Sequence, residues 1–250
     1  VTAPYWQDDH IQLYHGDMRE VLPDLAVQAD IVVADPPYEE TEQPWDQWPD
    51  GWVDVAATAT RSMWCFGSLR MFFEHLAEFD AWKPSQDVIW EKTCGTSMRA
   101  DRFGRIHESI VHWYRGRWSD LYVAPPREKH YGPDKGTKRN PGSRMGHWGH
   151  ERPGDVLHHD DGTRLIRSVM RAPNLRGRGI HRNEKPVGIL TPLIEYACPP
   201  GGLVLDPFAG SGSTLEAARL TGRRAIGIER HEPYAEAAAR RLAQAPLETA

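Results

Sequence analysis

The stretch 203-LVLDPFAGSGSTLEAARLTGRRAIGIE-229 decides the fold. Four apolar or acidic residues suited to a strand, 203-LVLD-206, run into the glycine turn 207-PFAGSGS-213. A helix is predicted over 214–222, a second strand over 224-RAIGIE-229, and a helix over 233–244. Strand, glycine turn, helix, strand and terminal acid is the plan of a nucleotide-type site at the carboxyl ends of parallel strands.

Three ligands compete for such a turn. A phosphate-binding loop needs a lysine after its glycines, and 207–214 contains none. A dinucleotide site wants G-x-G-x-x-G; Gly210 and Gly212 fit, but Leu215 stands at the third glycine position. Asp206 beside the loop would also repel a pyrophosphate. S-adenosylmethionine carries no phosphate and has a positive sulfonium and a positive amino group, so an acid at the strand end favours it. Glu229, 23 residues beyond Asp206, is placed to accept both ribose hydroxyls. A plain glycine turn with a solvated acid is the weaker reading.

Working outward, 30-DIVVADPPYEE-40 is a buried strand that ends in an acid, two prolines and a tyrosine. A nucleobase amine is a poor nucleophile because its lone pair is delocalised into the ring. Two acceptors holding its hydrogens make the nitrogen pyramidal and aim that lone pair. Asp35 offers a carboxylate and Pro36 a carbonyl fixed by the ring's φ. Asp35 is also placed to take the proton released after transfer. Tyr38 offers a flat face for a base turned out of its duplex. A strand-to-loop turn, capped by Asp and stiffened by Pro-Pro, is the bland alternative. The glycine loop tips the balance to methyl transfer. Carbon methylation of cytosine needs a displayed cysteine. Cys198 lies in 197-ACPPGG-202, just before the cofactor strand, neither Cys65 nor Cys94 has a partnered base nearby in sequence, and all three read as small buried hydrophobes.

The remaining pattern alternates strands and helices: strands near 11–14, 63–68, 87–92, 110–114 and 166–170, and helices over 18–27 (interrupted at Pro23), 53–62, 69–79 and 185–197. This predicts an α/β fold, a Rossmann-like, doubly wound and mostly parallel sheet. The expected organisation is 1–114 as the catalytic half, 115–165 as a basic target-recognition insertion, and 166–250 as the cofactor-binding half. From Arg115 to Lys185 the chain has 16 Lys+Arg against 8 Asp+Glu, within a total net charge of −5. An acidic body with a basic segment points to a polyanionic partner, although a solvated basic loop produces the same excess. The insertion is long for a structureless loop and is read as functional or partly disordered. Its histidines (His130, His147, His150, His158, His159) are irregularly spaced with no cysteine pair, so no metal site is expected. Three odd, scattered cysteines, no long apolar run and no secretory pattern at the start suggest the cytoplasm and no membrane.

Together these motifs resemble the permuted, beta-class DNA amino-methyltransferases, in which DPPY or SPPY precedes FxGxG. Here Asp35-Pro36-Pro37-Tyr38 precedes Phe208-Ala209-Gly210-Ser211-Gly212 by about 170 residues. The segment 181-HRNEKPVGIL-190 looks like the family's H-x-x-E/Q-K-P motif, and Gly16-Asp17 resembles its acid at the cofactor's adenine end. The resemblance implies a methyltransferase fold and a bacterial or phage setting. Asp35, Pro36 and Tyr38 would be catalytic. Asp17, His181, Lys185, Pro186, Asp206, Phe208, Gly210, Ser211, Gly212 and Glu229 would hold S-adenosylmethionine. DPPY implies the N6 amine of adenine in double-stranded DNA, with cytosine-N4 as the rival base and an inactive DNA-binding relative as the rival class. The insertion is short for a recognition domain, which implies a short reader or help from a second subunit; a separate restriction enzyme is a further partner left open. Arg99, Arg102 and Arg105, around Phe103, are expected to contact phosphate beside the flipped nucleotide, or else to decorate a surface loop with one buried Phe. Lys138, Arg139 and Arg144 of the insertion are the other expected DNA contacts. Trp45, Trp48 and Trp52 are expected as a lid over the base pocket or as core anchors.

Overall fold

The computed structural model describes residues 3–43, 45–93, 101, 103–129, 163–173 and 184–244. The chain divides into two compact units, 1–124 with 167–250, and 125–166. The described part of the smaller unit is an antiparallel pair, Arg127–Lys129 and Thr163–Leu165 (β7 and β8), tied by the Arg164–Glu128 ion pair at 2.7 Å.

Nine of the larger unit's described strands form one sheet. In chain order they are β1 Trp6–Gln7, β2 Ile11–His15, β3 Ile31–Ala34, β4 Ser62–Gly67, β5 Lys83–Lys92, β6 His107–Tyr114, β9 Val169–Ala172, β10 Leu203–Asp206 and β11 Arg224–Glu229. Their spatial order is β1-β2-β11-β10-β3-β4-β6-β5-β9. The five central strands from β2 to β4 are mutually parallel. Among them β3 (IVVA) and β10 (LVLD) are nearly all apolar, as burial on both faces requires. Helices Met18–Leu25 (α1), Trp52–Ala59 (α2) and Leu69–Glu74 (α3) pack one face; Val187–Ala197 (α4), Ser213–Leu220 (α5) and Glu232–Ala243 (α6) pack the other. The result is the expected doubly wound sheet.

The strand order reverses between β10 and β3. From β10 the chain runs through α5 to β11 on one side; from β3 it runs through α2 to β4 on the other. Crevices at such a reversal, outside the carboxyl ends of the strands, are where open α/β sheets bind ligands. Both motifs end there.

Several local readings change. Pro23 does not interrupt α1: it lies on the exposed face of a helix only two turns long. The 69–79 helix breaks at His75 into α3 and a single 3₁₀ turn, Leu76–Phe79. The strand read at 110–114 begins at His107 and runs antiparallel to both β4 and β5, so the sheet is mixed at that side. The Leu215 difference also has a counterpart. Gly227 on β11 has no side chain where α5 presses closest, and a Cβ there would lie 2.6 Å from Leu215 Cδ1. The strand, rather than the helix, provides the room for close approach.

Candidate active site

The site begins with two strand ends. β10 pairs in parallel with β3, Leu205 opposite Val32, so Asp206 and Asp35 leave neighbouring strands at the same edge. The glycine loop and the DPPY loop therefore leave the sheet side by side, and Phe208 packs edge-on against Trp52 of α2 at 5.2 Å.

On the glycine-loop side, Gly210 and Gly212 take φ values of +50° and +80°, conformations that disfavour other residues. Gly212 also caps α5 close to Ala238, where a Cβ would approach to 3.2 Å. Glu229 is buried and fixes the loop: its carboxylate accepts from Gly210 N–H at 2.7 Å and His231 N–H at 2.7 Å. Burial raises its pKa against those donors. Asp206 is buried too and accepts from the Phe208 amide at 3.0 Å. Burial pushes its carboxyl up to about 7, with the nearby Asp35 and Glu229 charges adding to the effect. Residues 206–214 carry no Lys or Arg of their own, and the Arg241 guanidinium that reaches Ser211 and Ser213 from α6 is paired with Glu184 and Glu216. Ser211 and Ser213 share a 3.3 Å hydroxyl contact under the loop. Asp17 caps α1 and pairs with Arg19 at 2.7 Å, beside Gly16, whose N–H bonds the Glu229 carbonyl at 2.9 Å. The Arg19 guanidinium holds the Asp17 carboxyl down.

On the DPPY side, both Asp35 oxygens are engaged. The Tyr38 hydroxyl donates to Oδ1 at 2.6 Å, and Lys185 Nζ lies 2.8 Å from Oδ2. Burial raises the Tyr38 phenol pKa well up, and the adjacent Asp35 charge reinforces it. Pro36 is buried beside Asp35. Lys185 reaches this point from the segment before α4, where Pro186 occupies the N-cap position. Its ammonium also lies 3.1 Å from Glu108 Oε2, and Glu108 is paired in turn with Lys92.

The turn after Tyr38 is organised by Asp46, a buried acid that sequence reasoning passed over. Its Oδ1 accepts from Tyr38 N–H at 2.8 Å and Glu39 N–H at 3.0 Å. Its Oδ2 accepts from Glu40 N–H at 3.1 Å, Thr41 N–H at 2.7 Å and the Thr41 hydroxyl at 2.6 Å. A short polar residue several positions after a turn was the available signal. Trp48 and Trp52 are buried: Trp48 stacks on His75 at 3.9 Å, and Trp52 packs against Phe79 and Phe208. They are core anchors of this loop.

Arg105 makes a two-pronged pair with Glu40, at 2.7 and 3.0 Å, at the end of the DPPY turn. Phe103 is 100% exposed, which removes the reading of a buried loop anchor. Arg99, Arg102, Lys138, Arg139, Arg144, His181 and the insertion histidines lie outside the described residues. Among the described residues no cluster of metal-type ligands occurs, and no helix is long and apolar enough to cross a membrane. Cys65 and Cys198 are buried free thiols, and burial pushes Cys198 up to about 12 and Cys65 well up, which removes the nucleophilic thiolate from both.

The chain is similar to several known proteins. The Type II methyltransferase M.ScaI of Streptomyces caespitosus is 27% identical over 266 residues, covering 96% of this chain and 83% of that protein. YubD of Escherichia coli (strain K12) is 57% identical over 67 residues, 27% of this chain and 30% of that protein. Among solved structures, the M1.HpyAVI–SAM complex matches with a TM-score of 0.63 at 21% identity, over 92% of this chain and 99% of that one. The cytosine-N4-specific PvuII DNA methyltransferase matches with a TM-score of 0.66 at 16% identity, over 98% and 91%. These two likenesses bear on the fold. The N6_N4_Mtase family model, described as DNA methylase, matches residues 29–240, and the chain belongs to that family.

Proposed function

We propose that this protein methylates the exocyclic N6 amine of adenine in double-stranded DNA, using S-adenosylmethionine and a base turned out of the duplex. The observation that carries the reading is the meeting of Asp35 and the Asp206 loop at adjacent strand ends where the sheet reverses. The ligand fits what the loop offers: two buried carboxylates, no phosphate-binding cation, and glycines that admit a backbone-close group. S-adenosylmethionine, when bound, supplies an electrophilic methyl carbon on a positive sulfur.

The chain's own residues do the rest. Asp206 balances positive charge at the loop, and Glu229 keeps a second lone pair on each oxygen for a ribose hydroxyl. Asp35 and the Pro36 carbonyl accept the two amine hydrogens and direct the nitrogen lone pair toward the methyl carbon. With the methyl group supplied by S-adenosylmethionine held by the Asp206 loop, the amine proton released would leave past Asp35 to water. Tyr38 supplies the stacking face. Asp17, Phe208, Ser211 and Pro186 line or shape the cofactor side, as does His181 by resemblance. The two described cysteines have no thiolate to offer, which favours an amine over cytosine C5.

The segment 115–165, with its basic excess, and Arg105 with Phe103 at the DPPY rim are assigned to DNA. If the insertion grips phosphates, DNA affinity falls steeply with salt, and a flat response refutes that assignment. One specific observation keeps cytosine-N4 as the second reading: a cytosine-N4 enzyme shares this fold, and Asp35 with Pro36 would hold either amine alike. The test uses labelled cofactor and unmethylated duplex DNA. Wild type labels DNA, and Asp35→Ala abolishes transfer while cofactor affinity by calorimetry stays within about threefold. Transfer surviving in Asp35→Ala removes Asp35 from the role.

A further inference from the structure

A line of alternating charges runs away from the catalytic acid into the sheet: Asp35, Lys185, Glu108, Lys92. No motif pointed to its far half. Glu108 opens β6, and because β6 runs antiparallel to β4, its first residues lie at the same edge as the ends of β3 and β4; Ser109 sits opposite Gly67. Lys92 ends the neighbouring strand β5, in register with this edge through its N–H to the Ile106 carbonyl at 2.7 Å. The reversal of one strand is therefore what delivers a carboxylate behind Lys185.

Resting on the methyl-transfer reading above, we infer that Glu108, backed by Lys92, is a positioning residue for Asp35. It holds the Lys185 ammonium against Asp35 Oδ2 and leaves Oδ1 as the oxygen offered to the target amine. Lys185 has three N–H donors on a flexible stem, and only fixed partners define where its charge sits. It has two, at 2.8 and 3.1 Å, and its ammonium is walled by the Phe66 and Tyr38 rings at 5.1 and 5.7 Å. Glu108 and Lys185 are both buried, so the pair is shielded from solvent competition. Burial by itself would push the Glu108 carboxyl up, but the Lys185 and Lys92 ammoniums hold it down to about 2, and it stays charged through the working pH range. The Tyr38 hydroxyl donates to Oδ1, the position the amine would take; Oδ2 is held by Lys185. The four charges cancel in pairs. Without Glu108, Lys185 loses the partner that keeps it from swinging across the acid.

The test compares Glu108→Gln, an isosteric change, with Lys185→Met and the double variant. It measures kcat, KM for DNA, and the dissociation constant for S-adenosylmethionine by calorimetry without DNA. The expected result for Glu108→Gln is a fall in kcat on the order of 10- to 100-fold, with KM and cofactor affinity changed less than about threefold. The double variant should be no slower than Lys185→Met alone, because Glu108 acts through Lys185. Lys92→Gln approaches from the more exposed end and should lower kcat by roughly two- to tenfold, so the role is tested even if Glu108→Gln does not fold. Normal kcat in both Glu108→Gln and Lys92→Gln overturns the inference, as does a double variant slowed by the product of the single effects. A loss of cofactor affinity in step with kcat also overturns it, by moving Glu108 to the cofactor side. An inactive wild type strikes the methyl-transfer reading itself, whereas an active wild type with an unaltered Glu108→Gln strikes the positioning role alone.

Discussion

Replacing Asp46 with asparagine keeps the shape and removes half of the acceptor capacity at the turn that follows the proposed catalytic residues. Each Asp46 oxygen serves at least two donors: Tyr38 and Glu39 amides on one, and the Glu40 amide with both Thr41 donors on the other. Whichever way the substituted side-chain amide turns, its NH₂ faces donors that have lost their acceptor. Hydrogen bonds to a charged group contribute about 1.5–3 kcal/mol each. Two or three are lost, and water reaches the exposed side of residues 39–41, so the loop loses about 2–4 kcal/mol of local stability. Native-state hydrogen exchange reads this directly. Protection of the Tyr38–Thr41 amides should drop roughly 30- to 1000-fold, while β3 and β10 amides stay protected. Because the Pro36 carbonyl and Tyr38 sit on the same turn, kcat should fall about tenfold or more. Unchanged exchange at these four amides in Asp46→Asn would refute the claim that one buried carboxylate organises the loop.

Other perturbations probe other parts of the site. Gly227→Ala places a Cβ 2.6 Å from Leu215 Cδ1 and 3.0 Å from Ala209 Cβ; overpacking of about 1–3 kcal/mol should lower the thermal midpoint by roughly 2–10 °C, and a raised midpoint contradicts it. Asp206, raised to about 7 by burial, is protonated in both states below pH 3.8, ionises only when unfolded as pH rises from there, and ionises in both above 7. The stability advantage of Asp206→Asn over wild type should therefore grow between about pH 4 and 7 toward about 4 kcal/mol and then level; denaturant titrations showing a pH-independent difference exclude this. Phe103→Ala, at a fully exposed side chain, should leave the midpoint unchanged and weaken DNA binding roughly 5- to 100-fold; equal affinity removes Phe103 from the interface.

What the sequence showed was local. Strands 203–206 and 224–229 carried their own apolar runs and glycine punctuation, and their observed bounds agree with the reading. The two motif acids lie at strand ends, where a parallel sheet must place them. Asp46, Glu108 and Lys92 carried no such mark. Asp46 takes its role from five donors presented by a turn whose path is set by the tertiary fold, and Glu108 from the reversed direction of β6, which an apolar run does not encode. The polar start of β5, 83-KPSQ, pairs with β6 across a bulge at Pro84–Gln86 and was invisible to an alternation test. Lys185 was legible as a motif residue by resemblance, but its contact with Asp35 depends on where the tertiary fold carries the chain before α4. Trp48 and Trp52 show the same effect: aromatic residues in an acidic loop suit a lid and a core equally until packing decides.

The central claim is that Asp35 and the Pro36 carbonyl steer a base nitrogen toward a methyl carbon held by the Asp206 loop. Its most direct test is mass spectrometry of nucleosides from duplex DNA incubated with the purified protein and methyl-labelled S-adenosylmethionine. The account predicts label on N6-methyladenine; label on cytosine C5, or none on any amine, would contradict it.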